Sequence, residues 1–230
     1  YVNNTGSPYQ AAQGVVPNTV ADHFELDTID SKGYKLTHAY EGDKTSVNLS
    51  IDQTDQDNVP PFAQLTNTIP NWSTAFGVGD SALTGGLKLW PIEMFTNSSR
   101  QGIAHINTPT YELSVVEGTS LTIARDMSLG TLKVMWSKRK TDWDDRLDLD
   151  GGPFPIADTE RHTNYDAETL EVQLSGSTDN MEYVFGYYSL KDKAFTANPQ
   201  SFFGGGQVFA QNYSGSGDSE AFFGQITWAI

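Results

Sequence analysis

The acidic stretch from Asp142 to Asp150 contains the residue types best suited to chemistry. Its carboxylates are Asp142, Asp144, Asp145, Asp148 and Asp150, and two glycines follow them. Several carboxylate oxygens together suit a hard cation such as Ca²⁺. The spacing differs from that of an EF-hand loop, because no Glu stands at the twelfth position. We therefore assign no metal and predict a solvated acidic loop, in which Asp144 and Asp145 are candidates for ligand contact.

The same carboxylates could serve as the acid and base of a glycosidase, whose two carboxyl groups lie about 5–9 Å apart. Nothing in the sequence positions two of them in that way. The histidines are isolated and lack the spacing of metal ligands: His23, His38, His105 and His162. We therefore predict no catalytic residues, no cofactor and no enzymatic activity, and an enzyme built on the acidic loop is the least favoured alternative.

Aromatic residues stand among Gly, Asn and Ser between residues 55 and 107, and long loops often carry function. The ligand-contact candidates in this segment are Trp72, Phe76, Trp90 and Phe95. Their rings suit stacking on a small-molecule ligand such as a sugar or an iron chelate. A small cluster that holds the loop closed is the alternative.

Composition excludes several classes of protein. The chain has 230 residues with 14 Lys and Arg against 29 Asp and Glu, so its net charge is −15. A surface that tracks phosphates needs an excess of Lys and Arg, so we predict no nucleic-acid partner. The absence of Cys excludes disulfides, thiolate metal sites and Cys nucleophiles. With 37% hydrophobic residues the chain is nevertheless expected to fold.

Apolar and polar residues alternate with a period of two through several segments, which predicts β-strands with one apolar face. Examples are Val47, Leu49 and Ile51, or Leu170, Val172 and Leu174. Short polar connections around residues 41–44, 125–130 and 176–180 predict tight hairpin turns. The predicted segments are 1–29 (loop or early barrel), 30–54 (hairpin), 55–107 (long loop), 108–143 (hairpin), 144–163 (loop), 164–192 (hairpin), 193–218 (loop) and 219–230 (strand).

Short and long connections therefore alternate in the prediction. Outer-membrane barrels combine tight periplasmic turns with long extracellular loops, and their strands are apolar outside and polar inside. We therefore predict an all-β fold: part of an antiparallel transmembrane β-barrel of about seven strands, located in the outer membrane.

Two further groups of residues fit such a barrel. Aromatic rings near strand ends suit the level of the lipid headgroups, and the candidates are Trp136, Trp143, Tyr187 and Trp228. The one basic run, Lys138, Arg139 and Lys140, is a candidate for contact with lipopolysaccharide phosphates. A solvated strand end is the simpler interpretation of the basic run.

Three ordered segments carry a resemblance to a known family. They are GTLKVMWSKRKTDWDDRLDLDGGPFP from Gly130, YDAETLEVQLSGSTDNMEYVFGYYSLKDKA from Tyr165 and AFFGQITWAI from Ala221. Their succession resembles the barrel of TonB-dependent outer-membrane receptors over roughly residues 108–230. The resemblance implies uptake of a scarce ligand, foremost a ferric siderophore, with cobalamin or an oligosaccharide as alternatives.

The same resemblance implies a TonB-type energy-coupling complex as partner, acting through a plug domain. The chain lacks the plug and coupling box of that family and is expected to be a fragment, because plugged transporters have about 22 strands. Two alternatives from other classes stay open. One is a soluble or cell-surface β-rich carbohydrate-binding module with a sandwich core, and the other is a passive porin.

Overall fold

A computed structural model describes residues 2–5, 22–61, 63–67, 96–100, 103–104, 106, 108–152 and 156–228. All ten regular elements in these residues are strands: β1 (Val2–Thr5), β2 (Asp22–Leu26), β3 (Ser31–Glu41), β4 (Thr45–Asn58), β5 (Ile103–Ala104), β6 (Tyr111–Met127), β7 (Gly130–Asp148), β8 (Ala157–Thr178), β9 (Met181–Phe202) and β10 (Gln207–Trp228). None of these described residues forms a helix that is long and apolar enough to cross a membrane.

Seven of the strands form one sheet in the order β3-β4-β6-β7-β8-β9-β10, with antiparallel neighbours throughout. β1 pairs with β2 and β5 in a separate small sheet. The prediction of an all-β fold with seven antiparallel strands is therefore confirmed. The large sheet is open, and β3 and β10 are its two edges.

The three predicted tight turns are present. They connect β3 to β4, β6 to β7 and β8 to β9 at residues 42–44, 128–129 and 179–180. Gly130 follows the second turn with a φ of 116°. A side chain there would also collide with the carbonyl oxygen of Ser175 on the neighbouring strand. Glycine is therefore required at this position for both backbone conformation and space.

Two of the predicted long loops are wrong over most of their length. The segment 144–163 is strand as far as Asp148 and again from Ala157, so the connection covers only residues 149–156. The segment 193–218 is strand apart from a turn at residues 203–206. Polar residues occupy both faces in these stretches, so no apolar alternation marks them. They pair because each continues an existing ladder and so satisfies its backbone N–H and C=O groups.

The third predicted loop, residues 55–107, lies mostly outside the described residues. Its first residues belong to β4, and Ile103–Ala104 form β5. Within the predicted segment 1–29, β1 and β2 are present.

The described residues contain very little apolar core. Ile106 is their one fully buried hydrophobic side chain, whereas the sheet exposes many large apolar residues, with Phe222 at 86% and Trp228 at 67% exposure. Among these described strands, each contacts only the strands with which it pairs. The large sheet is therefore a single layer in this part of the chain, and both of its faces are open.

Candidate membrane and ligand surfaces

One face of the large sheet carries an unbroken apolar row near the tight turns. Successive register partners across all seven strands are Tyr40, Val47, Ile123, Val134, Val172, Tyr187 and Phe222. The rings of Tyr187 and Phe222 lie 5.1 Å apart between centroids. Leu132, Leu174 and Phe185 extend this surface toward the turns, and Leu49, Leu121, Trp136 and Leu170 extend it away from them. We call this surface the apolar band.

The opposite face carries a row of mostly small polar side chains three residues farther from the tight turns, just beyond the level of Trp136. Its members are Thr37, Ser50, Ser120, Ser137, Thr169, Leu190 and Ser219. Ser137 and Thr169 hydrogen-bond to each other through their hydroxyl groups at 2.7 Å. Six of these seven residues bear a hydroxyl group, so we call this the hydroxyl row. The alternation seen in single strands is thus aligned across the whole sheet.

Three of the four predicted interface aromatics share the face of the apolar band. Trp136 lies at its border and donates its indole N–H to Glu168 at 2.7 Å. Trp228, paired with Met181, lies beside a tight turn at the other border, and Tyr187 lies between. Trp143 is seven residues from Trp136 on the same strand, an odd spacing that places it on the opposite face. The sheet therefore does not bring Trp143 together with the other three.

The predicted basic run is divided between the two faces. Lys138 and Lys140 lie on the side of the apolar band, one and two rows beyond Trp136. Arg139 lies on the opposite face, where its Nη2 is 3.4 Å from Asp52 Oδ2 on β4. The three cations therefore do not form one patch. Lys191 and Lys193 of β9 share the face of Lys138 and Lys140 instead, and the sequence analysis missed them.

The ligand candidates Asp144 and Asp145 also point to opposite faces, as adjacent strand residues must. Asp144 Oδ1 lies 2.5 Å from His162 Nδ1, and this hydrogen bond raises the pKa of the imidazole above its usual value. Asp145 is 3% exposed and accepts hydrogen bonds from the Arg161 guanidinium, from Nε to Oδ1 at 2.9 Å and to Oδ2 at 3.2 Å, and from Nη2 to Oδ2 at 2.7 Å. The carboxylate of Asp145 is thus already occupied within the sheet.

In the connection from β7 to β8 and at its two ends, side-chain carboxylates accept hydrogen bonds from backbone N–H groups. Asp148 Oδ1 accepts the N–H groups of Asp150 and Gly151 at 3.1 and 2.7 Å. Asp150 accepts those of Gly152 and Ala157 at 2.9 and 3.0 Å. Burial, together with the neighbouring Asp148 charge, raises the pKa of Asp150 to about 8. These residues therefore stabilise the loop itself, and the described part of the chain contains no group of three or more His, Asp or Glu arranged to hold a metal.

The described ends of the long connection between β4 and β6 meet near this loop. Gln64 donates from Nε2 to the carbonyl oxygens of Asn97 and Ser99 at 2.6 and 2.8 Å. A side chain on Gly151, which has a φ of 66°, would collide with the backbone of Ala63. The aromatic candidates Trp72, Phe76, Trp90 and Phe95 lie outside the described residues. The described ends of the segment that contains these aromatics lie close to the acidic loop.

Comparisons with protein-family models, with curated proteins and with solved structures found no match for this chain. The resemblance to TonB-dependent receptors therefore stays a prediction made from its sequence segments.

Proposed function

We propose that the chain forms part of a transmembrane β-barrel of the bacterial outer membrane, within a receptor that resembles the TonB-dependent family and takes up a scarce ligand. The observation that carries this proposal is the apolar band on one face of the sheet, opposite a face that carries Lys133, Glu171 and Gln173 at the same level. A strand of an outer-membrane barrel turns apolar residues to lipid and polar residues to the lumen.

The dimensions of the apolar band fit a bilayer. The register connects Trp136 through Leu170 and Ser189 to Glu220 on β10. Trp228, at the other border of the band, lies eight residues from Glu220 on the same strand. This distance is about 27 Å at about 3.4 Å per residue. A transmembrane strand needs about 9–11 residues, tilted by about 45°. Trp136 and Trp228 then lie at the two headgroup levels, where indole rings are favoured because they are amphipathic.

The direction of the edge strands limits how such a barrel closes. Because β3 and β10 are six steps apart in an antiparallel sheet, they run in the same direction. Joining them directly would make a parallel pair, and an all-antiparallel closure requires an odd number of additional strands between them. The sheet therefore supports a role as one sector of a larger barrel.

The carbohydrate-binding sandwich finds no support in the described residues, since no second layer covers either face of the sheet there. A passive porin would have the same two faces. Ligand uptake is proposed on the resemblance, which also implies coupling to a TonB-type complex through a plug domain. The ferric siderophore stays the first choice of ligand for the same reason.

The chain contains no Cys, so a single introduced thiol reports one position of the sheet. We would compare Val134→Cys, on the apolar band, with Lys133→Cys, the adjacent residue on the opposite face, in isolated outer membranes. We expect a water-soluble maleimide to label Lys133→Cys and to spare Val134→Cys, while a membrane-soluble maleimide labels Val134→Cys. Equal labelling of both positions by the water-soluble reagent, with the protein in the soluble fraction, would refute membrane insertion.

A further inference from the structure

Four lysines form a compact group immediately beyond the apolar band. Lys138 and Lys140 lie on β7, and Lys191 and Lys193 lie on β9. In the register, Lys138 and Lys191 both pair with Glu168 of the intervening strand, while Lys140 and Lys193 both pair with Asp166. All four therefore share one face, and we call them the lysine group. The chain has 14 Lys and Arg in total, so the group concentrates a large part of its positive charge.

The lysine group surrounds a shallow depression of about 370 Å³, which Asp166, Ala167 and Glu168 also line. None of the four ammonium groups takes part in an ion pair among the described residues. This holds although Asp166 and Glu168 lie between the two lysine-bearing strands on the same face. Glu168 instead accepts the hydrogen bond from Trp136. The lysines thus keep their hydrogen-bond donors available for a ligand.

Lysine has a long flexible stem, so its ammonium group can reach past neighbouring carboxylates. The lysine pair on β7 and the lysine pair on β9 lie two strand spacings apart, which is about 10 Å. Each pair has two ammonium groups on one side of a strand, an arrangement that suits one phosphate. The geometry therefore fits a ligand with two phosphate groups about 10 Å apart, in line with the strand spacing.

The level of the lysine group relative to the apolar band bears on which phosphate-bearing ligand it would meet. Trp136 lies at the border of the apolar band, and the lysines occupy the next two rows on the side away from the tight turns. If the apolar band lies in lipid, as proposed above, the lysine group lies at the headgroups of one leaflet. We propose that the lysine group binds the headgroup of a membrane lipid that carries two phosphate groups. This inference rests on the proposed membrane insertion.

The test measures binding of purified lipopolysaccharide to the full protein in detergent, with dephosphorylated lipopolysaccharide as the comparison ligand. The Lys191→Gln, Lys193→Gln double variant removes half of the group. The Lys35→Gln, Lys133→Gln double variant removes the same charge from the opposite face of the sheet and is the matched control. We expect the first variant to bind about 30-fold more weakly, because each lysine near an anionic membrane contributes about 1 kcal/mol. The control variant should bind as the unmodified protein does.

Equal affinity of the two double variants would overturn the proposal, as would equal binding of phosphorylated and dephosphorylated ligand. Inorganic phosphate is included as a competitor. Full competition by it would show a site for free phosphate and would also overturn a lipid site. A heat-dependent shift on a denaturing gel is measured for every variant. Absence of the shift, with the protein outside the membrane fraction, would contradict the proposed function. A protein that shifts and stays in the membrane fraction but does not bind the lipid would contradict only the lipid site.

Discussion

The half of the large sheet near the tight turns differs from the far half in how its two faces are used. Near the turns, most large apolar residues share the face of the apolar band, and the opposite face carries Lys133, Glu171 and Gln173. Farther out, both faces carry charge: Arg146 lies 3.3 Å from Glu160 on one face, and Arg161 binds Asp145 on the other. The same backbone ladder therefore runs through two environments. The near half suits one apolar and one wet side, and the far half suits water on both sides.

Reversing the polarity of one residue in the apolar band should have the largest effect. We expect Val134→Arg to disrupt outer-membrane assembly, because a charged residue on the lipid face at mid-bilayer costs about 2–4 kcal/mol. Gln173→Arg, on the opposite face next to Val172, the register partner of Val134, should assemble normally. The measurement is the amount of heat-modifiable protein in the membrane fraction. Equal loss in both variants would show that the two faces are not distinguished by lipid.

The far half should depend on its buried carboxylate. We expect Asp145→Asn to destabilise the protein by about 1–3 kcal/mol, because it removes charged hydrogen bonds to Arg161 from a site that is 3% exposed. Arg139→Gln breaks the more exposed pair with Asp52 and should cost less than about 1 kcal/mol. Urea unfolding midpoints of the two variants test this order. The reverse order would show that burial of Asp145 is not what makes its ion pair strong.

The connection between β7 and β8 should show the smallest effect, a local dependence on pH. The pKa of Asp150 is raised from its ordinary value of 3.8 to about 8 in the folded protein. Between these two pH values the folded state therefore binds a proton at Asp150 more strongly than the unfolded state does. Local stability should therefore fall as pH rises through this window. The raised pKa of His162 acts in the same direction, since its stabilisation is complete below about 6.5 and is lost as pH rises through the folded value.

Hydrogen exchange of the Gly152 and Ala157 amides measures this dependence directly, because both amides donate to Asp150. Asp150→Asn should flatten the profile in this loop, and His162→Gln should leave the loop unchanged while altering exchange in β8. An Asp150→Asn profile that still falls between pH 4 and pH 8 would contradict the assignment to Asp150.

Local sequence predicts those features whose information lies within one strand or one turn. Alternation around Val47, Val134 and Val172 marked the near halves of the strands, and the tight turns followed from their Gly, Asp and Asn content. The loops predicted at 144–163 and 193–218 are wrong, because polar residues occupy both faces in these stretches, as Asp144 and Asp145 do in the first. Such segments become strands only because a paired neighbour is already in place, which local sequence does not reveal.

The candidate sites divide along the same line. Adjacent residues of a strand point to opposite faces, so the strand assignment alone already separates Arg139 from Lys138 and Lys140, although the three were predicted as one contact site. Counting outward from the turn at residues 179–180 also aligns Glu168 with Lys191. The position of Lys138 beside them required the register of β7 with β8. Their connection covers residues 149–156, and the sequence pattern does not define where such a connection begins and ends.

The amino-acid sequence by itself determined the all-β class, the three tight turns, the strong negative charge and the two-faced character of the strand segments near those turns. These are local properties, since a period of two residues and the conformational needs of a turn act over short stretches of chain. Only the tertiary structure decided that the apolar residues of seven strands align in one band, that Arg139 meets Asp52 and that four lysines form one group. The register between strands sets these contacts, because it depends on backbone pairing between residues far apart in the chain.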